Sequence, residues 1–336
     1  MASIPTTIAI NGFGRIGRLA ARAAFETGRT DVRLVAVNSP APLSTLRHLL
    51  RYDSVHGPCP FAVEGADNAL IMNGQRVALS HGRDPAALDW AGVDVVLECT
   101  GAFNTRDGAA GHLTAGAKRV LISAPAKGED FTCVFGVNDA NLKAEHKVVS
   151  NASCTTNCLA PVAKVVHEAF GITSGFMTTI HAYTGDQNLV DATHKDLHRA
   201  RAAGMNMVPT STGAARALGQ VLPALAGRLD GVAIRVPTPC VSLVDVKFVL
   251  QTPATAERIN AVFSEAADGP MRGVLGVTDE PLVSGDFTHS PLSAVVSLPG
   301  TTVVGGTLAR VAAWYDNEWA FACRMLDVAA RMGRLS

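Results

Sequence analysis

The stretch Ser153-Cys154-Thr155-Thr156-Asn157 sets a cysteine among small polar residues. Ser150, Asn151 and Ala152 before it favour a turn, and Cys158 to Val166 after it reads as a helix. Cys154 therefore falls at or near a helix N-terminus, with Ser153 or Asn151 as the cap. A thiol there feels the positive end of the helix dipole, which lowers its pKa and favours the nucleophilic thiolate. The same residue also fits a small buried hydrophobe. His181 closes the strand pattern of residues 174–183. Beside a nucleophilic thiol it is a general base and ion-pair partner; elsewhere a single histidine is structural.

Groups suited to an anion follow. Thr184 to about Val208 is a polar loop holding Asp186, His194, Lys195, His198, Arg199 and Arg201. Loops of this length are uncommon unless functional. Together with Arg216 and Arg235, its basic residues suit an anionic substrate, a solvated surface or a subunit contact. Thr210-Ser211-Thr212-Gly213-Ala214-Ala215 is rich in hydroxyls and opens a helix, a ready anion site.

A second chemical element lies at the start. Thr7 to Asn11 is a short apolar strand running into Gly12-Phe13-Gly14-Arg15-Ile16-Gly17. A helix from Arg18 to about Thr27 and a strand from Val32 to Asn38 come next. Strand, G-x-G-x-x-G, helix, strand is the context of a dinucleotide fingerprint. Gly12 permits the tight turn, Gly14 lets backbone approach the pyrophosphate, and Gly17 lets helix pack on strand. The phosphates then sit on the helix N-terminus. An acidic residue ordinarily follows the second strand and binds the ribose hydroxyls; here Ser39 and Pro40 stand there. A serine removes the repulsion of a 2′-phosphate and offers a hydrogen bond, so NADP use becomes possible. Arg33 is a weak candidate partner for that phosphate.

The elements that must position these groups follow from patterning. Short helices are expected at Ser44 to Leu50 and Arg106 to Ala115. Antiparallel strands are expected over Phe61 to Ser80 with a turn at Asn73-Gly74. Buried strands 93–98, 119–123 and 148–150 end in Thr100-Gly101, Ser123-Ala124 and the approach to Cys154. Past that point strands alternate apolar and polar residues, as in 241–250, an antiparallel pattern. Helices are expected at Thr255 to Ala266 and Asn317 to Arg331. The predicted class is α/β: an N-terminal Rossmann-type dinucleotide-binding domain, then an α+β catalytic domain with a mainly antiparallel sheet. The expected boundaries are 1–153, with the helix 317–336 packing back on it, and 154–316.

Bulk properties narrow the partners. The chain has 336 residues, enough for about two domains, and 29 basic against 29 acidic residues. That balance does not favour nucleic acid or an anionic membrane as partner. Seven cysteines at wide spacings, with no C-x-x-C, fit neither a disulfide framework nor a zinc site. No apolar run reaches the ~18 residues of a span, and residues 1–4 lead into a strand without a signal-peptide pattern. The expectation is a cytoplasmic protein with no metal.

Ser150 to Asn157 resembles the active-site signature of the phosphorylating glyceraldehyde-3-phosphate dehydrogenases. The resemblance covers nearly the whole chain, through Ile10 to Arg18, Ile122 to Lys127, Pro209 to Ala215, Arg235 to Pro239 and Trp314 to Trp319. It implies that Cys154 attacks an aldehyde, that His181 handles the proton, and that the backbone amides of Cys154 and His181 stabilise the oxyanion. It implies a hydride passed to NAD or NADP and a thioester cleaved by inorganic phosphate. Thr184, Asp186 and Arg235 would meet the substrate phosphate. Ser153, Thr155, Thr212 and Gly213 would meet the attacking one, with Arg199 near both. Asn11, Gly12, Gly14, Arg15, Ile16, Gly17, Asn38, Ser39, Thr100, Gly101, Ser123, Ala124, Thr193 and Asn317 would bind the cofactor, Asn317 at the nicotinamide carboxamide. The family implies a homotetramer with the long loop beside a neighbour's cofactor.

Three departures stand out. Ser39 replaces the usual aspartate, and Ala192-Thr193 stand where strictly NAD-using members resemble Leu-Pro; both point to NADP or dual use. Ala320 and Phe321 replace a glycine and a tyrosine near the nicotinamide. The alternatives are an erythrose-4-phosphate dehydrogenase, a cysteine hydrolase that leaves the glycine fingerprint unused, and a non-catalytic dinucleotide-binding regulator.

Overall fold

A computed structural model describes residues 4–335. The chain divides into two units: one runs to Ser153 and resumes from Phe321, and the other is Cys154–Ala320.

The first unit is built on one sheet. Its elements are β1 (Thr6–Asn11), α1 (Arg15–Glu26), β2 (Val32–Asn38), α2 (Leu43–Arg51), β3 (Val63–Ala66), β4 (Ala69–Met72), β5 (Gln75–Ser80), β6 (Val95–Glu98), α3 (Arg106–Thr114), β7 (Arg119–Ile122), β8 (Phe131–Thr132) and β9 (Val148–Ser150). The strand order is β3-β4-β5-β2-β1-β6-β7-β9-β8. From β5 to β8 the neighbours are parallel, and β3 and β4 extend the sheet as an antiparallel hairpin. Parallel strands are buried on both faces, which explains runs such as Val95–Glu98, where every residue is buried. Asn73 and Gly74 take φ of 48° and 79° at the predicted hairpin turn. A second turn, at Asp67 and Asn68 (φ 38° and 54°), carries no glycine and was not foreseen. The order reverses between β2-β1 and β1-β6, the switch point where such sheets bind ligands beyond the strand C-termini.

The second unit contains α4 (Cys154–Phe170), β10 (Ile172–Ala182), β11 (Val208–Ser211), α5 (Ala214–Val221), β12 (Leu229–Val236), β13 (Ser242–Leu250), α6 (Ala256–Asp268), β14 (Leu275–Thr278), β15 (Ala294–Ser297), β16 (Thr302–Val304) and β17 (Leu308–Tyr315). Its sheet order is β11-β12-β10-β13-β17-β15-β14, with β16 on β17. Most pairs are antiparallel, as the alternation predicted, but β10 pairs with β12 in parallel, and β14 with β15 likewise. β12 was not foreseen, and it brings Arg235 into register beside His181.

α7 (Trp319–Gly333) closes the chain. Within the first unit Arg29 bonds Asp327 at 2.5 Å, Arg331 bonds Asp139 at 3.1 Å, and Arg119 donates to the Leu335 carbonyl at 2.8 Å. Among the described residues no helix is long and apolar enough to cross a membrane, and the seven cysteines are free.

Candidate active site

α4 starts at Cys154 itself. Ala152 just before it holds a φ of 55°, so the chain turns sharply off β9 into the helix. Cys154 is partly buried, and its Sγ lies 3.5 Å from His181 Nε2. Cys158, one turn on, is fully buried with Sγ against the Ala313 carbonyl, a core position.

His181 is buried at the end of β10. Its Nδ1 lies 2.7 Å from the Ala182 carbonyl and 2.8 Å from Arg235 Nη1. A neutral ring cannot donate to the first and accept from the second at once. With Nδ1–H directed at Ala182 O, Arg235 donates to that same carbonyl at 3.0 Å, and Nε2 is left as a bare acceptor facing the thiol. That tautomer is the one able to act as base. Burial and the neighbouring guanidinium hold the His181 pKa down, from an ordinary 6.5 to about 3. Burial also raises the Cys154 thiol, opposed by the charge of Arg235 and by hydrogen bonds from Thr155.

Burial thus opposes the thiolate that Arg235 and the helix start favour, and burial and Arg235 both oppose the imidazolium. His181 also lies inside the parallel ladder with Arg235, which commits its backbone to the sheet. The Cys154 amide stands at the start of α4, and the His181 ring faces the Cys154 thiol.

The anion groups are placed unevenly. Arg199 pairs closely with Asp186 and lies 3.3 Å from Asp196. Thr184 precedes them on the loop, partly buried. Thr212 Oγ1 accepts from the Ala214 amide at 3.2 Å, and Gly213 is exposed immediately before α5. Ser153 is partly buried before α4. Thr155 departs from expectation: its hydroxyl is buried against Tyr315 Oη at 2.9 Å, so what it offers an anion is its backbone at the helix start. Tyr315 Oη also bonds Thr179 at 3.0 Å, and the Tyr315 ring meets His181 edge-on. Sequence reading missed Tyr315, which pins the helix bearing Cys154 to the strand bearing His181.

In the first unit a cavity of about 460 Å³ opens at the switch point. Of the residues expected to meet the cofactor, Asn11, Gly12, Gly14, Asn38, Ser39 and Thr100 line it. Arg15, Ile16, Gly17, Gly101, Ser123 and Ala124 do not; Arg15 turns to Asp53 at 2.5 Å. Thr193 is exposed on the long loop, and Asn317 belongs to the second unit. Arg33 sits opposite Thr7, whereas Asn38 sits opposite Asn11, so Arg33 is about 16 Å from the cavity end of β2 at ~3.3 Å per residue. Arg83, which sequence reading passed over, lines the cavity beside Ser39.

The three glycines have separate reasons. Gly12 has φ 92°, and a Cβ there would lie 2.6 Å from the Thr100 amide nitrogen. A Cβ on Gly17 would lie 2.2 Å from the Gly12 carbonyl oxygen. A Cβ on Gly14 would meet nothing within 4 Å, and its φ of −78° is ordinary. No side chain caps α1 and no acidic residue sits in its first turn. Protein packing therefore explains Gly12 and Gly17, whereas Gly14, at the start of α1, fits the close approach of a dinucleotide pyrophosphate.

Below the turn is a buried carboxylate. Glu98 accepts from Asn11 Nδ2 at 2.6 Å, from His112 Nε2 at 2.9 Å, and from the Thr100 amide at 2.7 Å. Trp90 Nε1, which can only donate, bonds His112 Nδ1 at 2.9 Å, which fixes His112 as the Nε2–H tautomer.

Comparison with known proteins bears on both units. The profile described as the NAD binding domain of glyceraldehyde 3-phosphate dehydrogenase matches residues 6–106, and that of its C-terminal domain matches residues 153–317. The chain belongs to the glyceraldehyde-3-phosphate dehydrogenase family. Glyceraldehyde-3-phosphate dehydrogenase of Cereibacter sphaeroides is 57% identical over 328 residues, 98% of each chain. That of Xanthobacter flavus is 57% identical over 330 residues, again 98% of each. Glyceraldehyde-3-phosphate dehydrogenase 2 of Bacillus subtilis is 52% identical over 332 residues, 97% of each. The residues lining the cavity of the first unit fall in the stretch matched by the NAD binding domain, and Cys154, His181 and Arg235 fall in that matched by the C-terminal domain.

Proposed function

We propose that the protein is a phosphorylating glyceraldehyde-3-phosphate dehydrogenase that oxidises glyceraldehyde 3-phosphate to 1,3-bisphosphoglycerate. The observation that carries this is the Cys154–His181 contact at a helix start, in a chain whose other unit holds the glycine turn. Cys154 attacks the aldehyde carbon as its proton passes to His181 Nε2, which returns it to the former carbonyl oxygen, giving a hemithioacetal and a neutral His181. The Cys154 amide stabilises the oxyanion. The bound nicotinamide supplies the hydride acceptor. His181 takes the hydroxyl proton as the hemithioacetal becomes a Cys154 thioester. Inorganic phosphate attacks the thioester carbonyl, the thiolate leaves, and the acyl phosphate departs.

Arg235 and Thr184 suit the substrate phosphate. Asp186, an anion itself, acts by orienting Arg199. Ser153, the Thr155 backbone, Thr212 and Gly213 suit the attacking phosphate. We assign dual or NADP-preferring cofactor use on Ser39, Arg83 and Thr193. Exposed Leu189, Val190, Leu197, Met205 and Met207 along the long loop support a homotetramer, since apolar clusters of this kind mark interfaces. Relatives matched across nearly the whole chain are named glyceraldehyde-3-phosphate dehydrogenases, which does not favour the erythrose 4-phosphate alternative.

The test is reduction of NAD or NADP by glyceraldehyde 3-phosphate with phosphate present. Cys154→Ser should abolish it while leaving dinucleotide binding intact. Activity retained by that variant overturns the thioester route.

A further inference from the structure

Asn317 is held at one end of its amide only. Its Oδ1 accepts from Ser242 Oγ at 2.9 Å, and no acceptor among the described residues faces Nδ2. The Ala182 amide donates to Ser242 Oγ at 3.1 Å, and a backbone N–H only donates. The Ser242 hydroxyl donates to Asn317 Oδ1, and the Asn317 NH2 turns the other way. Ala182 is also the residue whose carbonyl receives His181 Nδ1 and Arg235 Nη1. One serine, itself only 1% exposed, thus joins the strand end carrying His181 to the Asn317 amide.

The surroundings are arranged around that serine. β10, β13 and β17 are neighbours in the sheet, and Ser242 pairs with Tyr315, two residues before Asn317. Val241, just before Ser242, is a buried β-branched residue at φ 66°, a conformation such side chains rarely adopt. Cys240 donates to Asp316 Oδ1 at 3.2 Å, the oxygen that also accepts the Glu318 and Trp319 amides. Asp316 Oδ2 accepts the His289 amide at 2.7 Å. The backbone on both sides of Asn317 is therefore fixed, and the orientation of its amide is left to Ser242.

We propose that Ser242 is a positioning residue for the nicotinamide. It holds the Asn317 amide with NH2 outward, as donor to the carboxamide oxygen, and locks that amide to the strand end bearing His181. This rests on the reading that Asn317 meets the carboxamide. Freed of Ser242, the amide can flip and present an acceptor to the same oxygen.

Titration calorimetry of the full protein with NAD and with ADP-ribose, which lacks the nicotinamide, reads this directly. Ser242→Ala should weaken NAD about three- to tenfold, the worth of one oriented hydrogen bond, and leave ADP-ribose unchanged. Ser242→Thr, which keeps the hydroxyl, should restore NAD binding, and Ser242→Cys reads the same ratio with the volume kept if the alanine variant does not fold. Asn317→Ala should lower the same ratio, and adding Ser242→Ala to it should change nothing more. Equal weakening of both ligands by Ser242→Ala means a structural role and overturns the proposal. A lowered ratio in Asn317→Ala with none in Ser242→Ala overturns it and leaves the Asn317 reading standing. No change in Asn317→Ala removes the reading beneath it.

Discussion

At the scale of residues, Arg235 governs the chemistry of its neighbours. Its guanidinium lies against the His181 ring and favours a thiolate over a thiol at Cys154. Arg235→Gln should therefore raise both pKa values, and alkylation of Cys154 by iodoacetamide should move to higher pH than in the wild type. A profile that stays put or moves to lower pH contradicts this placement of the charge. Ser39 poses the cofactor question. Ser39→Asp puts a carboxylate where a 2′-phosphate would lie and should weaken NADP use by about 1–3 kcal/mol while sparing NAD. Unchanged NADP kinetics mean that Ser39 does not face that phosphate. Cys154 and His181 were legible in the sequence because each carries chemistry in its own context, a helix start and a strand end. Arg235 beside His181 was not, since their meeting depends on a parallel register between strands 54 residues apart. Arg83 was hidden for a similar reason: it follows β5, and only the pairing of β5 with β2 brings it beside Ser39.

At the scale of elements, the glycine turn separates packing from binding. Gly17→Ala forces a methyl to within 2.2 Å of a backbone oxygen, so α1 must move from β1. Overpacking of this kind costs about 1–3 kcal/mol or more, read as a lower midpoint in urea. Gly14→Ala should leave that midpoint nearly unchanged and weaken dinucleotide binding at least about tenfold. Equal effects of the two substitutions contradict the division. Asp130 ties β9 to the loop before β8: its Oδ2 accepts the Lys147 and Val148 amides at 2.8 and 2.9 Å, and Oδ1 meets Arg106. Burial works against the charged form, but Arg106 and the two amides win and lower its pKa below 3.8. A carboxylate depressed in the folded state stabilises above its unfolded pKa, and that contribution fades as pH falls through the folded value. Asp130→Asn should flatten the acid-side loss of stability below about pH 4; an unchanged slope contradicts the assignment. Strand-turn-helix patterns told the elements of the first unit from sequence except the two-residue β8, whereas β12 and β11 escaped because residues 208–236 alternate weakly and carry Gly and Pro.

At the scale of the molecule, the two units divide the labour: one supplies a glycine turn and a cavity for the dinucleotide, the other a thiol, a base and two arginines. Both folds were readable as classes, because periods of apolar residues report burial. The parallel β10·β12 pair was not, because period alone is silent on strand direction. The apolar side chains exposed along residues 189–207 predict association. Leu189→Glu should lower the mass seen by sedimentation if they lie at a subunit contact, and an unchanged mass places the contact elsewhere. The proposed chemistry turns on the Cys154 thioester. Mixing the protein with glyceraldehyde 3-phosphate and NAD or NADP, while recording the reduced nicotinamide band, tests it in one trace. Without phosphate, a burst of one reduced cofactor per Cys154 and then a stall is expected; adding phosphate should start steady turnover. Steady turnover at the same rate without phosphate would contradict it.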